Sequence, residues 1–187
     1  MDGLNAVLCS RNRHKARELE RLLPGWTLEP LDRDDYPPET GATYYENAVI
    51  KAAFGRAHAG GWVLAEDSGL EVAALDGRPG VLSARYAPEG APAVAKLLGE
   101  LQGVDDRRAH YVSELVLLAP DGHELRGTGT LEGRIAFAAL GSEGFGYDPI
   151  FVPDGEERTV AELGNGWKAQ NSHRARAARA LLAALSA

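Results

Sequence analysis

Short apolar runs alternate with helical apolar periodicity through the first 65 residues, and no other feature of the chain restricts its fold as much. Residues 4–9 read as a short buried strand running into Ser10-Arg11-Asn12. A helical pattern then extends to Leu23, with Ala16, Leu19, Leu22 and Leu23 on one face, until Pro24-Gly25 stops it. A second strand is expected over residues 26–31, followed by an acidic, proline-containing loop to Gly41. Thr43-Tyr44-Tyr45-Glu46 has the form of a capping box, with Thr43 as N-cap and Glu46 at the third helical position. The helix it opens continues through Ala48, Ile50, Ala52, Ala53 and Ala57 to Gly60-Gly61, and residues 62–65 form the next strand. Asp76-Gly77-Arg78-Pro79-Gly80 is a strong turn signal, and Pro92 sits in the first turn of a helix reaching Leu101. Residues 109–119 and 123–137 read as long strands joined in a hairpin at Pro120-Asp121-Gly122. Residues 141–146 form a glycine-rich loop and residues 150–152 a short strand; Asn171 or Ser172 caps a last helix rich in Ala and Leu. This order implies an α/β architecture with a mixed sheet and a cleft. No repeat or linker interrupts the chain, so residues 1–187 read as a single domain, with room for two lobes.

Charge narrows the partners. The net charge of −7 argues against general affinity for polymeric nucleic acid. Positive charge is gathered locally, however, at Arg11, Arg13, His14, Lys15 and Arg17 and again at Arg174, Arg176 and Arg179, which leaves a small anionic ligand open. Lone Cys9 permits no internal disulfide and suits a reducing cytoplasm; the absence of a long apolar run or a leader-like N-terminus argues for no membrane partner. Only four of the 20 basic Lys and Arg residues are lysines, and three of them, Lys15, Lys51 and Lys168, fall in or beside the segments that carry chemistry. A retained lysine suits a site that needs a compact ammonium rather than a planar fork.

Four constellations stand out. Ser10-Arg11-Asn12-Arg13-His14-Lys15 lies where a strand meets a helix, and unpaired amides at a helix N-terminus bind phosphate oxygens. A capped, basic helix start is the plainer alternative. Glu39, Glu46 and Glu66-Asp67 form an acidic set able to offer oxygen ligands to Mg²⁺, although Glu46 is better explained by its capping box. In Val63-Leu64-Ala65-Glu66-Asp67-Ser68-Gly69 the apolar run meets two carboxylates, a pattern that also reads as a turn leaving the strand. Phe145 and Tyr147, two aromatics separated by a glycine in Gly144-Phe145-Gly146-Tyr147-Asp148, can present flat faces to a base; a glycine-rich turn burying Phe145 is the alternative. Lys168 and Ser172-His173-Arg174 complete the list at the start of the last helix.

Taken in order, these segments resemble the inosine/xanthosine triphosphate pyrophosphatase family. Ser10–Lys15 is similar to its Thr/Ser-x-Asn-x-x-Lys phosphate loop, and Glu46–Ala52 to its Glu-Asn-Ala-x-x-Lys-Ala helix. The block from Glu66 to Tyr86, Gly144–Phe151, and Lys168 with Ser172-His173-Arg174 resemble its remaining signatures. The resemblance implies an elongated two-lobed α/β fold around a central mixed sheet, with the active site in the cleft, and a homodimer. It implies Mg²⁺-dependent hydrolysis of ITP, dITP or XTP to the monophosphate and pyrophosphate in the cytoplasm. Asp67 would be proton acceptor and metal ligand, with Glu39 as second ligand. Ser10, Arg11, Asn12, Arg13, His14 and Lys15 would hold the phosphates. Lys51, Ser68, Phe145, Gly146, Tyr147, Asp148, Lys168, His173 and Arg174 would meet the substrate, the last two reading the base. Arg11 replaces a common Gly, Glu66 a common Asp, and no acidic pair precedes Lys168. A Maf-like pyrimidine nucleotide pyrophosphatase and a non-hydrolysing nucleotide sensor are the alternatives.

Overall fold

A computed structural model describes residues 3–187. Its elements are β1 (Asn5–Cys9), α1 (Arg13–Leu22), β2 (Thr27–Pro30), α2 (Tyr44–His58), β3 (Trp62–Val72), α3 (Ala91–Glu100), β4 (Arg108–Leu118), β5 (Glu124–Ile135), β6 (Phe151–Pro153), α4 (Val160–Asn171) and α5 (His173–Leu185). The six strands form one sheet in the order β2-β1-β3-β4-β5-β6. β1 runs parallel to β2 and β3, whereas β5 and β6 are antiparallel, so the sheet is mixed. None of the helices among the described residues is long and apolar enough to cross a membrane.

The chain packs as two compact units, each assembled from separated segments: residues up to 67, 113–129 and 174–187 in the first, residues 68–112 and 130–173 in the second. In the first unit, β1 and β3 are buried on both faces, which is why their sequences are continuously apolar rather than alternating. Ala6, Leu8 and Leu64 face Leu19 and Leu23 at α1 and Ala177, Ala178 and Leu181 of α5. Cys9, Val63 and Ala65 face Ala48 and Ala52 of α2. Burial pushes the Cys9 thiol up to about 12, so it behaves as a small inert hydrophobe. α2 approaches the sheet at Gly55, where a Cβ would stand 2.1 Å from Cys9 Sγ and 2.7 Å from Val63 Cγ1. Gly55→Ala is therefore expected to lose about 1–3 kcal/mol through overpacking, read as a drop in the denaturation midpoint.

The helix starts follow local chemistry. Thr43 and Glu46 form the expected capping box, with Glu46 N donating to Thr43 Oγ1 and Ala42 N and Thr43 N donating to Glu46 Oε2. Thr43→Ala should remove about 1 kcal/mol of stability and leave turnover intact. A loss of turnover at unchanged melting temperature would show that the hydroxyl does more than cap.

The second unit is built on Leu70 and Val72 of β3, Leu97 of α3, Tyr111 of β4, Leu131 and Ile135 of β5, and Phe151. The turn after β3 places Asp76 (φ 52°) and Gly77 (φ 80°) in the left-handed region, as the Asp-Gly pair suggests. Two elements depart from the sequence patterning. β3 does not stop at Ala65 but runs through Glu66, Asp67 and Ser68 to Val72. Helix α4 lies where the patterning gives no helix, because Gly164 (φ 85°) interrupts its apolar periodicity. Its start is nonetheless written in Thr159-Val160-Ala161-Glu162, a second capping box. Past the glycine, Glu143 Oε2 accepts from Asn165 N (2.9 Å) and Nδ2 (2.8 Å), satisfying an amide where the helix resumes.

Candidate active site

Because side chains alternate along a strand, Glu66 and Asp67 leave β3 on opposite faces. Glu66 points to the face of α1 and α5 and is 1% exposed. Its Oε1 accepts from Ser113 Oγ (3.0 Å) and Arg174 Nε (3.1 Å), and its Oε2 lies 2.9 Å from Lys15 Nζ. Arg174 also bonds Glu18 on α1 through Nη1. Burial would raise the Glu66 pKa, but Arg174 and then Lys15 outweigh it and hold the carboxyl well below the usual carboxylate range. The strand can therefore carry charge through the core: it is neutralised by cations arriving from α1 and α5. A turn is not needed.

Asp67 points to α2. Lys51 Nζ donates to its Oδ1 (2.9 Å) and Asn47 Nδ2 to its Oδ2 (3.2 Å), the two donors lying one helical turn apart. Lys51 Nζ also donates to Glu39 Oε1 (2.8 Å), so one ammonium is shared by two carboxylates. Asn47 Oδ1 in turn accepts from Gly41 N (2.8 Å), tying down the loop that carries Glu39. Burial raises the Asp67 pKa against the opposing pull of Lys51, and burial of Lys51 is overcome by Asp67 and Glu39, which raise it. With Glu46 committed to its capping box, Glu39 is the acid that shares a cation position with Asp67. Among the described residues no group of three or more His, Cys, Asp or Glu side chains is placed to hold a metal ion. Glu39 and Asp67 are hard oxygen donors of the type Mg²⁺ takes, and the position between them is filled here by the Lys51 ammonium.

The phosphate-loop segment is organised by its own side chains. Asn12 N donates to Ser10 Oγ (3.2 Å), while His14 N (2.9 Å) and Lys15 N (3.1 Å) both donate to Asn12 Oδ1, making Asn12 the N-cap of α1. The amides of Asn12, His14 and Lys15, read from sequence as phosphate donors, thus have acceptors within the loop. Of the side chains here, Arg13 and His14 are exposed, Lys15 is partly exposed, and Arg11 lies 5.6 Å from the Tyr36 ring centroid.

The second unit carries the other group. Asp148 Oδ2 accepts from Phe145 N (2.8 Å) and Lys168 Nζ (2.6 Å), and Lys168 Nζ stands 4.2 Å from the Phe145 ring centroid. Gly144, at φ 77°, permits this closure, since a Cβ there would meet Asp148 Oδ2 at 2.2 Å. Phe145 and Gly146 are half-buried beside this pair, and Ser68 is half-buried on β3. His173 stacks on Tyr111, with centroids 4.5 Å apart and planes 9° from parallel.

Two expected substrate contacts are buried. Tyr147 belongs to the core of the second unit at 5% exposure, its hydroxyl donating to Ser83 O (3.3 Å); its ring faces that core rather than a ligand. Arg174, expected at the base, is 2% exposed and engaged with Glu18 and Glu66. Asn47, Ser113, Glu18 and Tyr111 complete these networks and escape sequence reasoning. Asn47 stands in the Glu-Asn-Ala-x-x-Lys-Ala segment without a role, which its i, i+4 spacing from Lys51 on one helix face could have suggested.

The family model described as the Ham1 family matches residues 6–184. A protein of Deinococcus deserti named dITP/XTP pyrophosphatase is 46% identical, over 98% of this chain and 90% of its own length. One of the same name from an Exiguobacterium species is 44% identical, over 95% of each chain. The solved structure of the Staphylococcus aureus Ham1 protein superposes with a TM-score of 0.85 at 37% identity, covering 97% of this chain and 98% of that one.

Proposed function

The chain belongs to the Ham1 family, and from that premise we infer that it hydrolyses deaminated purine nucleoside triphosphates, ITP, dITP and XTP, to the monophosphate and pyrophosphate. The observation that carries the chemistry is the convergence of Glu39 and Asp67 on the single cation position of Lys51. These two carboxylates would hold Mg²⁺. When bound, the ion neutralises triphosphate charge and lowers the pKa of a coordinated water. Asp67, its pKa raised by burial, accepts the proton of the attacking water at the α-phosphorus. Asn47 fixes the second oxygen of Asp67, and the Lys51 ammonium would yield the position between the two carboxylates to the ion. The bond from the α-phosphorus to the bridging oxygen breaks, and Lys15 stabilises the negative charge gathering on departing pyrophosphate. In the second unit, Phe145 offers a stacking face, while Lys168, held by Asp148, and His173, held by Tyr111, supply polar contacts for the base. The protein would act as a homodimer in the cytoplasm.

The test is pyrophosphate release from dITP, dATP, UTP and dTTP, each with Mg²⁺ and with EDTA. Release confined to dITP and abolished by EDTA is expected. Preference for UTP or dTTP would restore the Maf-like alternative, and binding without release the sensor; neither has support in the similarities found. Light scattering in solution checks the dimer.

A further inference from the structure

We propose that Ser83 is a positioning residue for the face that Phe145 offers to the base, acting through the Tyr147 hydroxyl. The proposal rests on the pyrophosphohydrolase reading above, with Phe145 as its stacking platform. In the block from Glu66 to Tyr86, the chemistry lies in Glu66, Asp67 and Ser68, whereas Ser83 stands further on, in a short 3₁₀ segment spanning Gly80–Arg85. β1 pairs with β3 over Trp62–Ala65. Beyond that stretch β3 takes partners from the later segment: Glu71 bridges to Pro79, and Leu70 N donates to Ser83 Oγ (2.9 Å). The same hydroxyl donates to Gly80 O (2.6 Å), closing its own turn. Both capacities of the Ser83 hydroxyl are thus used to fix the segment on β3, and with it the Ser83 carbonyl. That carbonyl accepts from the Tyr147 hydroxyl (3.3 Å). Burial pushes this hydroxyl up to about 12, so it remains a donor at neutral pH. Tyr147 and Phe145 share one tight turn, in which Asp148 N donates to Phe145 O (3.2 Å) and Phe145 N to Asp148 Oδ2 (2.8 Å). Phe145 stands between Gly144 and Gly146, so the side chains that anchor the turn are those of Tyr147 and Asp148. Asp148 braces it toward Lys168, and Tyr147 braces it through Ser83 to the strand that carries Asp67 and Ser68. Every residue of this brace, from Leu70 and Ser83 to Phe145 and Tyr147, belongs to the second unit.

Ser83→Ala removes the hydroxyl, and Tyr147→Phe removes the donor while keeping the ring in the core. Each should raise KM for dITP about fivefold, the scale of one neutral hydrogen bond, in steady-state pyrophosphate release. The kcat should stay within about twofold, because stacking on the base is binding shared by ground and transition states. Inhibition by inorganic tripolyphosphate, which has no base, should be unchanged, and Ser83→Thr, which keeps the hydroxyl, should restore the wild-type KM. In a Phe145→Ala background, either variant should raise KM by less than about twofold further, since residues acting as one unit are not additive. Tyr147→Phe decides the matter if Ser83→Ala does not fold. An unchanged KM, a loss confined to kcat, a matching loss of tripolyphosphate inhibition or full additivity with Phe145→Ala would overturn the proposal. If Phe145→Ala itself leaves KM for dITP unchanged, the stacking role fails, and a wild-type chain that releases no pyrophosphate from dITP removes the functional reading; this inference falls with either.

Discussion

Asp67→Asn should lower turnover on dITP by at least about a hundredfold, the scale of losing one electrostatic contributor to a transition state. The substitution preserves shape and removes three things together: a charge opposite Lys51, a ligand for a divalent ion, and the proton acceptor. It also creates a local conflict. Both partners of Asp67 are donors, Lys51 Nζ to Oδ1 and Asn47 Nδ2 to Oδ2, so the amide NH₂ of the variant must face one of them. Asn47 has no easy escape, because its own Oδ1 is engaged by Gly41 N. A modest fall in melting temperature is therefore expected beside the large fall in kcat, and weakened Mg²⁺ binding measured calorimetrically should accompany both. Near-normal pyrophosphate release by the folded variant would refute the role given to Asp67.

Lys15→Ala is expected to raise KM and lower kcat, together lowering kcat/KM for dITP by well over about tenfold, since one ammonium serves both bound triphosphate and departing pyrophosphate. Stability should suffer less than in the usual breaking of a buried ion pair, for which about 3–5 kcal/mol is typical, because Glu66 keeps Arg174 and Ser113. Melting temperature and steady-state kinetics must therefore be measured on the same preparation. If stability falls while kcat and KM hardly change, Lys15 serves only to tie α1 to β3, and phosphate binding passes to Arg11, Arg13 or His14.

What is legible in the sequence is local. Strands, helices and the hairpin lie close to their expected places because each is signalled within a few residues, by apolar period, by Pro-Gly stops or by a cap. The capping box at Thr43 and Glu46 is the clearest instance, since donor and acceptor are three residues apart. Helix α4 falls outside this reach: Gly164 breaks the period, and the carboxylate that restarts the helix comes from Glu143, 22 residues upstream.

The chain by itself determined the α/β class, the mixed sheet and the segments that carry chemistry, because periodicity and turn residues act through neighbouring backbone. Tertiary structure alone decided what those segments do. Glu66-Asp67 looks like a turn in isolation, because two adjacent carboxylates in a buried strand would be prohibitively desolvated without partners. The partners are Lys51 on one face and Lys15 and Arg174 on the other, and Arg174 lies 108 residues away in sequence. No spacing rule reaches that far. The same long-range pairing sets Arg174, expected at the base, against a buried carboxylate. Two residues of one strand share a peptide bond yet belong to different charge networks, and only the packing of α1, α2 and α5 against β3 separates them.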